Sequence, residues 1–182
     1  NTVDQEISIR MAKGYLTEAD LSKIASRHSL TQDQIRKRVR CPIVKDDKEK
    51  IEPPRALDKS IEKSIIDNLK IIKKTSLYNF LDAPVSSELK TLQEKSSAKK
   101  RELSNLSKKD ADVTAGTILV GHCLNIFKND ENRYSYDVSI AKARIASLYS
   151  DIDMATIEGK IRSEYLDVLI LKAMEFGMDR DE

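Results

Sequence analysis

Apolar residues along this chain recur at intervals of three and four, and long strand-like alternation is missing. Leu21, Ile24 and Ala25 share one helical face, and Ile61, Ile65, Leu69 and Ile72 share another. Val120, Cys123, Leu124 and Phe127 stand at i, i+3, i+4 and i+7, a single apolar stripe. Start and stop signals separate these runs. Thr17-Glu18-Ala19-Asp20 reads as a near capping box, and Thr31-Gln32-Asp33-Gln34 as a second one. Gly14 ends an earlier helix that begins near Asp4. After the turn His28-Ser29-Leu30, Ile35 and Val39 carry an apolar face until Pro42 stops the helix. The expectation is an all-α protein of small helical bundles.

Cys41 to Arg55 holds Pro42, Pro53 and Pro54 around the charge run Lys45–Lys50, which predicts an exposed connection. The organisation expected is a helical hairpin over 1–41, a linker over 42–56, a lead-in helix and bundle over 57–150, and a second hairpin over 151–182. The two hairpins resemble each other. Gly14-Tyr15-Leu16 and Gly159-Lys160-Ile161 each precede a helix. Leu30-Thr31 and Met178-Asp179 each supply an apolar residue and an N-cap after the turn, although the second helix is three residues longer. The helix begun by Asp179-Arg180-Asp181-Glu182 has no body, and the chain opens on Asn1, so a piece of a longer polypeptide is expected.

Composition narrows the function. A net charge of +2, with 32 basic and 30 acidic residues interleaved, describes a mixed solvated surface that neither demands nor excludes nucleic acid. No apolar run approaches the roughly 20 residues that cross a bilayer. Cys41 and Cys123 stand far apart without metal-ligand spacing and read as free thiols of a cytoplasmic protein. The two histidines, two cysteines and the carboxylates propose no nucleophile, base or metal set, so neither a catalytic site nor a cofactor is expected.

The stretch Ser76–Asp137 carries the most specific signal. It opens Ser76-Leu77-Tyr78-Asn79-Phe80-Leu81-Asp82 and closes Arg133-Tyr134-Ser135-Tyr136-Asp137, with two long helical patterns between: Ser87–Ser104, inward through Leu89, Leu92, Ala98 and Leu103, and Thr114–Phe127. Ser86 or Ser87 is expected to cap the first of these helices, and Gly116 and Gly121 to allow close helix approach in the second. This order of parts resembles a J domain, the DnaJ-type module that engages DnaK-type chaperones. The resemblance implies that Tyr78, Phe80 and Leu81 enter the core and that Arg133, Tyr136 and Asp137 brace the last helix. It further implies that the basic positions Lys90, Lys95, Lys99, Lys100 and Arg101 meet a protein partner. The family's His-Pro-Asp tripeptide is absent, since its place falls near Arg101-Glu102-Leu103-Ser104 and no proline follows Pro84. The function expected is therefore a non-enzymatic, chaperone-associated or scaffolding module that binds without stimulating a DnaK-type ATPase.

The rival reading is a helix-turn-helix contact with nucleic acid through Arg36, Lys37, Arg38 and Arg40. The hairpin's second copy keeps the apolar skeleton and carries acids where the first carries bases. That change favours a packing unit over a DNA reader.

Overall fold

Both capping boxes form. Thr17 and Thr31 each accept a hydrogen bond from the backbone N–H three residues on, and the side chains of Asp20 and Gln34 accept in turn from the cap residues' own N–H groups. A computed structural model describes residues 2–46, 51–52, 54–107, 110–157, 160–175 and 178. The charge run 47–50, Pro53, Gly159, Phe176, Gly177 and 179–182 lie outside the described residues, so the N-cap expected at Asp179 does too.

In chain order come α1 (Thr2–Arg10), a 3₁₀ turn (Met11–Lys13), β1 (Leu16–Thr17), α2 (Glu18–Arg27), α3 (Gln32–Arg36), β2 (Ile43–Val44) and α4 (Lys59–Ile71). Then follow α5 (Leu77–Phe80), α6 (Leu89–Ser104), α7 (Ala111–Ile126), α8 (Asp130–Ala155), β3 (Thr156–Ile157), β4 (Lys160–Ile161) and α9 (Ser163–Glu175). With 69% helix against 4% strand the fold is all-α. The strands are two-residue pairs: β1 lies parallel to β2, and β3 antiparallel to β4.

The chain divides into two compact units, Asn1–Pro54 with Asp137–Glu182, and Arg55–Tyr136. Helix α8 contributes its opening turns to the second unit and the rest to the first. In the first unit Leu16, Leu21, Ile24 and Ile35 are fully buried, with Ile7, Met11 and Val44 beside them. Burying each such side chain stabilises the fold by roughly 1.5–3 kcal/mol. Here the stretch 42–56 begins inside the fold: Ile43 and Val44 pair with Leu16 and Thr17, and the Leu16 N–H donates to the Pro42 carbonyl at 3.0 Å. That pairing corrects the helix expected to reach Pro42. Helix α3 ends at Arg36, and the chain turns so that β2 can come alongside β1, with Val39 still buried.

In the second unit Ile65, Leu77, Leu92, Leu119 and Phe127 form the core. Three local expectations are corrected here. Glu88, not Ser86 or Ser87, is the N-cap of α6, and its side chain makes no capping bond. Ala98 faces outward. Of the stripe expected on α7, Val120, Cys123 and Phe127 are buried together with Ala115, Leu119 and Ile126, while Leu124 is 37% exposed.

Three helices end alike. Leu30 N–H bonds the Ala25 carbonyl, Lys74 N–H that of Leu69, and Ala83 N–H that of Tyr78, each with the preceding residue at positive φ: Ser29, Lys73 and Asp82. These are Schellman turns closed without glycine. The Met178 N–H bonds the Ala173 carbonyl at 3.0 Å, the counterpart of Leu30 to Ala25 at 2.9 Å, so the repeated hairpin pattern extends to the turn bond.

Candidate functional site

The J-like segment closes on itself through Arg133. Its guanidinium is buried, donates from Nε to the Tyr78 hydroxyl at 3.0 Å, from Nη1 to the Ser87 carbonyl at 2.9 Å, and from Nη2 to the Val85 carbonyl at 2.5 Å. One turn on, the Tyr136 hydroxyl accepts from the Leu77 N–H at 3.0 Å, the N–H at the start of α5. Tyr78, Phe127 and Tyr136 form a trio with ring centroids 5.3 to 6.4 Å apart, Tyr78 tilted against the other two and Phe127 edge-on to Tyr136. The two ends of the segment are thus joined at α5.

Helices α6 and α7 pack closely because Gly116 has no side chain. A Cβ there would stand 3.1 Å from a Leu103 methyl, whereas one on Gly121 would meet nothing within 4 Å. Close approach therefore explains Gly116 and leaves Gly121 without a packing role. Buried Ser96 returns its hydroxyl to the Leu92 carbonyl at 2.7 Å.

The five cations of α6 do not share one face. Lys95 donates to the carbonyls of Leu81 and Asp82 at 3.3 and 2.9 Å, which cap the end of α5. Lys99 pairs with Glu102 at 3.0 Å and lies 5.9 Å over the Phe80 ring. Both are engaged within the module. Lys90, Lys100 and Arg101 are exposed. At 100° per residue Lys90 and Arg101 fall within about 20° of each other, with Glu94 beside them and Lys100 off to one flank. The outward line of α6 is therefore Lys90, Glu94 and Arg101.

The cations proposed for nucleic acid scatter similarly. Arg36 is the last residue of a five-residue helix and pairs with Glu18, whose carboxyl it holds below the usual range. Arg38 reaches Asp4 at 3.5 Å, while Lys37 and Arg40 are exposed beyond the helix.

Two polar clusters are not marked as a whole in the sequence. Buried Glu6 on α1 accepts from Arg10 Nε at 3.0 Å and Arg27 Nη1 at 2.5 Å, and meets His28 Nε2 at 2.8 Å. Arg10 lies four residues on, a spacing the sequence does show, but Arg27 and His28 lie 21 and 22 residues away, and no short window contains them. In the other unit the Ser64 hydroxyl and His122 Nε2 stand 2.9 Å apart and tie α4 to α7. Burial lowers the His122 pKa, which favours the neutral ring. Among the described residues no three of His, Cys, Asp and Glu gather at metal-binding distance, and no helix is long and apolar enough to cross a membrane.

Compared with known proteins, the chain matches no family model, no curated protein and no solved structure.

Proposed function

We propose that residues 76–136 are a non-enzymatic, J-like protein-interaction module of the cytoplasm, with a DnaK-type chaperone as the candidate partner. The observation that supports this reading is the closure of the segment by Arg133 and Tyr136 onto α5. In the same segment α6 packs against α7 where Leu103 meets Gly116, and Lys90 and Arg101 are exposed on one side of α6. Two exposed cations flanking Glu94 attract a partner surface that offers acids at their spacing, and such pairs raise the association rate more than the final affinity. With no His-Pro-Asp tripeptide, the module binds as an adaptor and does not trigger ATP hydrolysis.

The test combines a DnaK-type ATPase assay with a pull-down under the same conditions. Binding without stimulation is expected, weakened about tenfold in Lys90→Glu/Arg101→Glu as two attractions become repulsions. Stimulation of the ATPase would refute the adaptor reading. Absence of both binding and stimulation would remove the chaperone as partner and reduce the resemblance to one of shape.

A further inference from the structure

The two hairpins differ in what covers the same face of their helix. In the first, α3 lies along α2. The Gln32 side chain donates to the Ser22 hydroxyl at 2.7 Å, Arg36 pairs with Glu18, and Ile35 between them is fully buried. Glu18, Leu21, Ser22 and Ala25 stand at i, i+3, i+4 and i+7, so one face of α2 carries α3. Helices α2 and α9 end in the same register, at Arg27 and Glu175. Counted back from the matched turn bonds, Leu30 to Ala25 and Met178 to Ala173, that face corresponds in α9 to Leu166, Leu169, Ile170 and Ala173.

In the second hairpin those four residues border an open groove of about 570 Å³, which Ile9, Leu148 and Ile152 also line. The polar side chains that line it, Arg10, Lys13 and Asp20, are already paired, with Asp20 3.6 Å from Arg10 and 2.9 Å from Lys13. What stays open is apolar: Leu166 is 44% exposed, and Ile170 and Ala173 are half-buried. The exchange of side chains says what fits. Where α2 offers Glu18 to a guanidinium and Ser22 to an amide, α9 offers Leu166 and Ile170. A helix seated here as α3 is seated on α2 therefore carries apolar residues in place of Gln32 and Arg36, beside one equivalent to Ile35. Those are its first, fifth and fourth positions, a single apolar stripe.

We propose that this groove receives a short amphipathic helix from a partner protein, N-capped like α3 and apolar at its first, fourth and fifth positions. The contact is a helix laid into a groove, with Leu166, Leu169 and Ile170 as the surface that its anchors meet. It repeats between two chains the packing that α2 and α3 make within one.

The probe is a fluorescein-labelled peptide of Leu30–Arg40 carrying Gln32→Leu and Arg36→Leu, titrated with the full chain and read by anisotropy. It is expected to saturate, and to bind about tenfold more tightly than the same peptide with its native residues. The gain comes from two buried apolar side chains in place of two desolvated polar ones. Displacement of α3 from α2 would favour the native peptide, so the order of affinities separates the two sites. The chain with Leu166→Glu/Ile170→Ser carries the first hairpin's residues in the second. It is expected to lose the tenfold preference with its helical circular dichroism unchanged, because Leu166 is exposed and Ile170 only half-buried. Equal binding of the two peptides, or a preference that the double substitution leaves intact, overturns the proposal. So does a chain that takes neither peptide; if that chain sediments as a dimer, the groove belongs to a second copy instead.

Discussion

Arg133 concentrates several functions in one side chain. It is buried, spends its donors on a hydroxyl and two backbone carbonyls, and sits 5.5 Å from the Tyr78 ring centre. Replacing it with Met keeps much of the volume and removes the donor from all three acceptors, of which the Tyr78 hydroxyl is buried and the Val85 and Ser87 carbonyls are half-buried. Arg133→Met is expected to cost about 3 kcal/mol, read as a lower urea midpoint for loss of helical signal, and Arg133→Lys to recover only part because an ammonium cannot span the fork. The arginine itself was legible in the spacing Arg133-x-x-Tyr136-Asp137. Its acceptors at Val85 and Ser87 were not, because a carbonyl carries no residue identity. Lys73 and Ser29 at positive φ were equally hidden, since neither type announces a left-handed turn, whereas the short polar side chain of Asp82 tolerates one more readily than most residues.

At the scale of elements, what the local pattern controls came out and what distant pairing controls did not. The capping boxes of α2 and α3 need only four consecutive residues and were read directly. The early end of α3 depends on β2 meeting β1 from 26 or more residues away, which no window on the helix contains. The cap of α2 also has a measurable pH signature. Burial opposes the charge on Asp20, but hydrogen bonds from Thr17 and the Lys13 ammonium 2.9 Å away outweigh it and hold the carboxyl below its usual range. A folded-state pKa below the unfolded one adds stability that is complete above the ordinary carboxylate range and is lost as pH falls through the folded value. Asp20→Asn keeps a capping oxygen and discards the charge. It is expected to cost about 1 kcal/mol at neutral pH, with the difference from the native chain vanishing in strong acid. Denaturation midpoints of both chains across pH would check this.

For the whole molecule, the unit that joins 1–54 to 137–182 is discontinuous in sequence, and a reading that moves along the chain divides it by linkers instead. Periodicity finds a helix such as α8 but cannot say that one helix serves two cores. The two cysteines fall on opposite sides of that division, Cys41 in one unit and Cys123 in the other. Burial pushes both thiols up to about 12, with the charge of Asp137 adding to the effect at Cys41. At neutral pH each is held as the unreactive thiol, and Cys123 has no accessible surface at all. The unit Arg55–Tyr136 thus contains its own chemical clock at Cys123, started only when that unit opens. A thiol reagent followed by mass spectrometry is expected to mark Cys123 about a hundredfold faster in Arg133→Met, the factor that roughly 3 kcal/mol of lost stability sets on the open population. Cys41, partly exposed in the other unit, supplies the reference rate within the same sample.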